Sequence, residues 1–309
     1  MTTMNDYQRI LSEICPIPNF LVKYLGLTSM QRLKEISFFC GMPYASKNQY
    51  RFYMDISRYD HSLGVALITW RLTGDKAQTL AALFHDISTP VFSHVIDYMN
   101  GDYIAQESTE DKTMEVLLHT PNLYKYLKQD GLTFDDISDF KKYSVVDLDR
   151  PALCADRLEG IISGGMGWSG KTDYDLACRI LDSMFLYTNE NGVEEIGLTD
   201  MDVAKKVLEV SDHINELTHR KEDTYMMELL ADIVRLMLRE NIIIYDDLFT
   251  LTEPKMIQLI EENTKYFPDL KDYYEIFTTV ENPIITSTIK IKNKILNPLV
   301  NGKRMIKMG

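Results

Sequence analysis

Arg58-Tyr59-Asp60-His61-Ser62-Leu63-Gly64 opens the stretch that decides the fold, and Leu83-Phe84-His85-Asp86 closes it. Between them the apolar residues keep helical spacing. Leu63, Ala66, Leu67 and Trp70 fall at i, i+3, i+4 and i+7, and after Thr73-Gly74-Asp75 the residues Ala77, Leu80, Ala81 and Phe84 repeat the pattern. Two helices joined by so short a turn run antiparallel, which returns the end of the second to the start of the first. His85 and Asp86 are therefore expected beside His61. Another carboxylate, Asp156 in Leu153-Cys154-Ala155-Asp156-Arg157, follows seventy positions after Asp86.

Two imidazoles and two carboxylates suit a divalent metal ion: Mn, Fe, Co, Ni, Zn or Mg. Such an ion keeps open positions, lowers the pKa of a water molecule and polarises a phosphoryl oxygen. A phosphate ester is then the natural substrate. Arg58, three residues before His61, and Arg157, next to Asp156, are expected near the metal, where guanidinium groups neutralise phosphate oxygens. The blander reading of each arginine is an ion pair with a neighbouring acid such as Asp60 or Glu159.

The RxxHSLG run at 58–64, the HDxxxxxFSH run at 85–94 and the CADR run at 154–157 resemble the HD-domain metal-dependent phosphohydrolases, nearest the deoxynucleoside triphosphate triphosphohydrolase (dGTPase-like) branch. The resemblance is dense from about residue 50 to 165 and continues thinly through residues 248–252 to Asn297-Pro298. It implies an all-α fold, an HD-domain helical bundle, to which the sequence adds a small β element near the C-terminus. It also implies one divalent metal ion held by His61, His85, Asp86 and Asp156. The activity implied is cleavage of a phosphate ester of a nucleotide, dNTPs included, or of a related small phosphate compound, by attack of metal-activated water.

That branch usually carries two more histidines shortly after the HD pair, and here Thr89 and Gln106 stand in their places. Neither side chain is a general acid at neutral pH. His94 and Glu107 remain nearby. His94 would bind phosphate or serve packing, and Glu107 would accept a proton or position water, unless it is a solvated acid at a helix N-terminus. Catalysis is thus assigned to Asp86, Glu107 and Arg58, and substrate contacts to Arg58, His94 and Arg157. The alternative is a sensor that keeps the metal and binds nucleotides with weak catalysis.

A second phosphate signature competes with the first. Gly165-Met166-Gly167-Trp168-Ser169-Gly170-Lys171-Thr172 satisfies GxxxxGK[ST], and Ile242-Ile243-Ile244-Tyr245-Asp246 looks like the partner strand of such a P-loop. A working P-loop needs a buried strand immediately before its first glycine. What precedes Gly165 is the helical pattern carrying Asp156, so Gly164-Gly165 reads as a helix stop.

Composition sets wider bounds. With 309 residues, 45% hydrophobic and 26% charged, the chain can bury a large core. No apolar run reaches the roughly 18 residues of a membrane helix, and the first residues lack a signal-peptide plan, so a cytoplasmic location is expected. Cys15, Cys40, Cys154 and Cys178 form no CxxC pair and read as buried thiols in a reducing compartment. A net charge of −13 argues against a nucleic-acid surface. The last 28 residues, however, hold six basic and no acidic side chains. They read as a solvated edge strand or as a phosphate contact, and their complementarity to the acidic body leads to the expectation of a homo-oligomer.

The division expected is an HD metal-binding domain with N-terminal helices over residues 1–170 and a helical C-terminal region over residues 171–309. Helical patterning is read over residues 5–36, from Pro90 to Asn100-Gly101, from Gln106, and from Asp149-Arg150-Pro151 to Gly164-Gly165. It recurs over residues 173–187, 200–217, 222–240 and 254–265. The aromatics Phe38, Phe39, Tyr44, Tyr50, Phe52 and Tyr53 read as core and lid. Ile285, Ile289, Ile291 and Ile295 alternate with polar residues like a strand over residues 284–296.

Overall fold

The computed structural model describes residues 5–103, 112–285, 289 and 294–305. The chain starts with α1 (Asp6–Ile14), closed by a reciprocal Asn5–Gln8 capping box and burying Tyr7, Ile10, Leu11 and Ile14 on one face. Helical continuity through residue 36 does not follow. Pro16 and Pro18 each remove a backbone donor, Cys15 turns extended, and only short helical pieces form, at Val22–Leu25 and Thr28–Arg32.

The expected helix pair is present as α2 (Arg58–Thr73) and α3 (Lys76–Phe84). Ser57 caps α2, accepting from the Asp60 N–H at 3.1 Å while the Asp60 carboxylate returns to the Ser57 N–H and hydroxyl. At the other end Gly74, with φ of 62°, donates to the Trp70 carbonyl, a left-handed turn that glycine adopts without steric cost. Asp75 then caps α3 through the Gln78 N–H. The sequence showed one apolar face on α2, but every residue from His61 to Thr69 is buried, because other helices pack around it.

The helix expected to follow Pro90 starts later, as α4 (Val95–Asn100). Phe92 and Ser93 have φ of 63° and 50°, which no right-handed helix accommodates. A helix was likewise expected from Asp149-Arg150-Pro151, yet α5 begins at Ala155 and ends at Gly164. Its first free N–H groups, of Ala155 and Asp156, donate to the carbonyls of Val145 and Val146, so a neighbouring loop sets the start. Gly164-Gly165 is no stop either. The chain winds on through a wider π turn to Ser169 before Gly170 ends it at φ of 65°.

Next come α6 (Tyr174–Ser183), β1 (Met184–Thr188), β2 (Glu194–Leu198), α7 (Met201–Thr218), α8 (Lys221–Arg239), α9 (Glu253–Asn263) and α10 (Pro268–Thr279). Two short strands, β3 (Leu299–Val300) and β4 (Lys303–Arg304), complete a sheet of order β1-β2-β3-β4. The helical reading of residues 173–187 therefore runs four residues into a strand. Asn191-Gly192, with Gly192 at φ of 75°, makes the hairpin turn that separates β1 from β2. In the alternating stretch 284–296, residues 286–288 and 290–293 lie outside the described residues, and the described ones form no strand. The architecture is mainly helical with a small sheet, as expected, but the sheet is built from a central hairpin and the residues just after 298.

Side chains from both sides of residue 170 share one hydrophobic core. The loop after α3 is pinned to the later part of the chain. Arg32 donates to the carbonyls of Thr89, Leu248 and Leu251, and the Val91 N–H donates to Leu248 at 2.7 Å. In the basic tail Arg304 grips Glu195 with both terminal nitrogens, at 2.5 and 2.7 Å, and reaches Glu190 as well. Its charge is thus met within the chain rather than offered to a partner. Among the described residues no helix is long and apolar enough to cross a membrane, and the four cysteines form no disulfide.

Candidate metal centre

Capping and the tight turn at Gly74 bring the end of α3 against the first turn of α2. His61 Nε2 lies 3.2 Å from His85 Nε2, and Asp86 Oδ2 stands 3.9 and 3.6 Å from these two nitrogens. Asp156, in the first turn of α5, places Oδ1 3.0 Å from His61 Nε2 and 3.5 Å from His85 Nε2. Atoms bound to one cation by bonds of about 2.0–2.2 Å sit roughly 3.0–3.6 Å apart. The two imidazoles and Asp156 Oδ1 have that spacing, and Asp86 Oδ2 stands at its outer edge. His61 and His85 form a buried floor, with side chains 2% and 6% exposed, whereas Asp156 is 39% exposed and forms the mouth.

Hydrogen bonding at the far side of each ring shows why the cluster suits a cation. His85 Nδ1 faces the Ala82 carbonyl at 2.8 Å, and a carbonyl only accepts, so the proton is on Nδ1 and the Nε2 lone pair points inward. His61 Nδ1 meets the Glu159 carboxylate, which likewise accepts. Two lone pairs and two carboxylate oxygens then face each other. In the absence of a metal ion a proton must relieve this. Burial disfavours the His61 cation, but the Glu159 charge and hydrogen bonds to Asp156 and Glu159 outweigh it and push the His61 pKa up to about 10. A donor set of this kind, with each imidazole oriented by an outer acceptor, fits a divalent metal.

Arg58 places Nη1 2.8 Å from Asp86 Oδ2, and its guanidinium lies over the Phe38 ring, which also packs against His61. Although burial acts the other way, Arg58, His85 and His61 hold Asp86 well below the usual carboxylate range. Arg58 thus orients a member of the cluster; Asp60 is engaged in the α2 cap. Arg157 is placed away from the cluster. Its terminal nitrogens donate to the carbonyls of Ala152 and Leu148 and approach Asp147, bracing the loop before α5.

His94 is part exposed, and its Nδ1 pairs at 2.8 Å with Asp97, whose side chain is fully buried. Thr89 is buried, and its carbonyl takes a bond from Arg32. Gln106 and Glu107 lie outside the described residues. Sequence reasoning did not place Glu159 and Phe38 beside His61, or Asp97 beside His94. Glu159 was findable as the residue one turn after Asp156 on the same face of a helix. Nothing in local sequence connects Tyr7, whose hydroxyl donates to the other Glu159 oxygen.

The glycine-rich stretch has none of this convergence. It follows a helix, and the N–H groups of Gly170, Lys171 and Thr172 all donate to the Gly165 carbonyl. A P-loop would aim such groups at phosphate. Thr172 Oγ1 overlaps the place where a Gly165 side chain would begin, so the chain's own atoms fill the hollow. Ile242 to Tyr245 form no strand.

Residues 58–153 match the family model described as "HD domain". His61, His85 and Asp86 lie inside the match and Asp156 just beyond it. The chain is 26% identical over 208 residues to the uncharacterized protein YdhJ of Bacillus subtilis, covering 67% of this chain and 61% of that protein. It is 26% identical over 129 residues to the metal-dependent phosphohydrolase cns2 of Cordyceps militaris, covering 42% of this chain and 36% of that protein. The chain thus spans less than two thirds of either relative.

Proposed function

We propose that this HD-domain protein is a metal-dependent phosphohydrolase that cleaves a small phosphate ester, with nucleotides as the substrate class. The observation that carries the reading is the convergence of His61, His85, Asp86 and Asp156 at ligand spacing with inward-facing lone pairs. These residues would hold the metal, which when bound polarises a phosphoryl oxygen and acidifies water. The name of the Cordyceps relative points the same way.

The chain's own residues supply the rest. Asp86, held at low basicity, serves as a ligand oriented by Arg58 rather than as the proton acceptor. Phe38 covers the imidazole floor against water. His94, steadied by Asp97 through Nδ1, leaves its Nε2 for contact with the substrate. Glu107 is assigned to take the proton of the attacking water. A homo-oligomer in the cytoplasm completes the reading, supported by the opposite charges of the acidic body and the tail lysines.

A second reading, a nucleotide sensor with weak catalysis, is favoured by the buried Thr89 at the place of a family histidine. Metal analysis of protein purified without chelator, followed by a screen of mono-, di- and triphosphate nucleotides, decides. The expected result is one divalent ion per chain and metal-dependent phosphate release that Asp86→Ala abolishes. Nucleotide binding without release would establish the sensor, and release surviving in Asp86→Ala would refute the hydrolase site.

A further inference from the structure

We infer that the buried chain of contacts Tyr7–Glu159–His61 sets the strength with which His61 binds the metal, making the N-terminal helix α1 part of the metal centre. This rests on the metal site proposed above. Tyr7 is 1% and Glu159 2% exposed, so solvent does not compensate the carboxylate. A carboxylate removed from water is costly unless both oxygens find partners. Both do: Oε1 accepts from the Tyr7 hydroxyl and Oε2 meets His61 Nδ1.

The backbone is shaped to allow the contact. A side-chain carbon at Gly64 would sit 2.7 Å from Glu159 Cγ and 3.1 Å from its Cδ, so glycine on α2 leaves the corridor through which Glu159 reaches the ring. The two imidazoles are consequently unequal. His85 is backed by a neutral backbone carbonyl and His61 by a carboxylate, and a carboxylate partner fixes the ring and raises its donor strength more. Tyr7 holds Oε1 so that Oε2 faces Nδ1. The contact spans 152 positions of sequence, and α1 packs against α2 to make it.

The test measures metal affinity, not turnover. Co²⁺ is titrated into full-length protein and its visible d–d bands are recorded, with His61 ¹⁵N shifts reporting which ring nitrogen is protonated. Glu159→Gln presents an amide that can donate to Nδ1 and is expected to weaken Co²⁺ binding about 10- to 100-fold and shift the bands. Tyr7→Phe, a milder change that also serves if Glu159→Gln does not fold, is expected to weaken binding several-fold with altered bands. Tyr174→Phe is the control, since it removes another tether of α1, the Tyr174–Glu13 hydrogen bond, without touching the relay. Wild-type affinity and bands in both relay variants, or an equal loss in Tyr174→Phe, would overturn the inference. Failure of the wild type to bind Co²⁺ would instead remove the metal site itself, and Co²⁺ binding without hydrolysis would remove only the proposed activity.

Discussion

Two stretches of this chain spell phosphate chemistry, and folding treats them oppositely. Around His61 and His85, two helices and a distant third bring carboxylate oxygens of Asp86 and Asp156 to 3.0–3.9 Å from the two imidazole nitrogens, which lie 3.2 Å apart, and leave the carboxylate side open to solvent. In the stretch Gly165 to Thr172, three N–H groups that could bind phosphate are spent on a single carbonyl of the same turn. A spacing pattern carries function only when its polar atoms are left unsatisfied by the protein and aimed at a common point. The first stretch meets that condition. The second spends its backbone donors on itself.

The largest expected effect breaks the comparison at its stronger side. Asp86→Ala removes a donor and strips Arg58 of its partner, so bound metal should drop from one per chain to near zero and phosphate release should vanish. Elemental analysis alongside a phosphate assay checks both. Should Lys171→Ala produce that loss instead, the roles of the two stretches would have to be exchanged.

Next in size is the pH dependence of the metal-stripped protein. The folded-state pKa of His61 is raised from 6.5 to about 10, so its stabilising contribution is complete below pH 6.5 and is lost as pH rises through 10. With each tenfold gain in proton affinity worth about 1.4 kcal/mol, the contribution amounts to a few kcal/mol. Chemical denaturation from pH 6 to 10 should show stability falling in chelated protein, and a flatter profile with metal, which binds the neutral rings. A flat profile in the chelated protein would mean that no proton bridges the cluster.

A smaller effect belongs to the second stretch. Gly165→Ala drives a methyl into Thr172 and Val210 and should cost about 1–3 kcal/mol, while the metal Kd of the folded protein stays unchanged. Denaturant midpoints and Co²⁺ titration of the same sample test it together. Smallest of all, Lys171→Ala alters an exposed side chain and should change stability by no more than about 0.5 kcal/mol, with wild-type turnover. A loss of nucleotide binding there would show that the loop contacts substrate after all.

The helix pair was legible because its signals are local. Apolar spacing of 3.6 residues, a capping serine and a glycine turn lie within 28 positions, and they alone carry His85 and Asp86 back to His61. The hairpin of β1 and β2 was misread because Met184–Thr188 continues an apolar pattern compatible with a helix, and its pairing with Glu194–Leu198 decides otherwise. The start of α5 was misplaced for a related reason: the groups that satisfy its first N–H donors come from Val145 and Val146, outside the helix.

The sequence by itself determined the two helices, the identity of the donor atoms and the acidic balance of the chain, since each depends on neighbours in sequence or on composition. Only the tertiary structure decided what those atoms meet. It turned Arg157 to the loop at Leu148 and Ala152, gave Arg58 to Asp86, closed the hollow at Gly165 with Thr172, and set Glu159 and Tyr7 behind His61. The physical reason is that hydrogen bonds and ion pairs act over a few ångströms in space. The residues that make these contacts stand up to 152 positions apart in the chain, where no periodicity connects them.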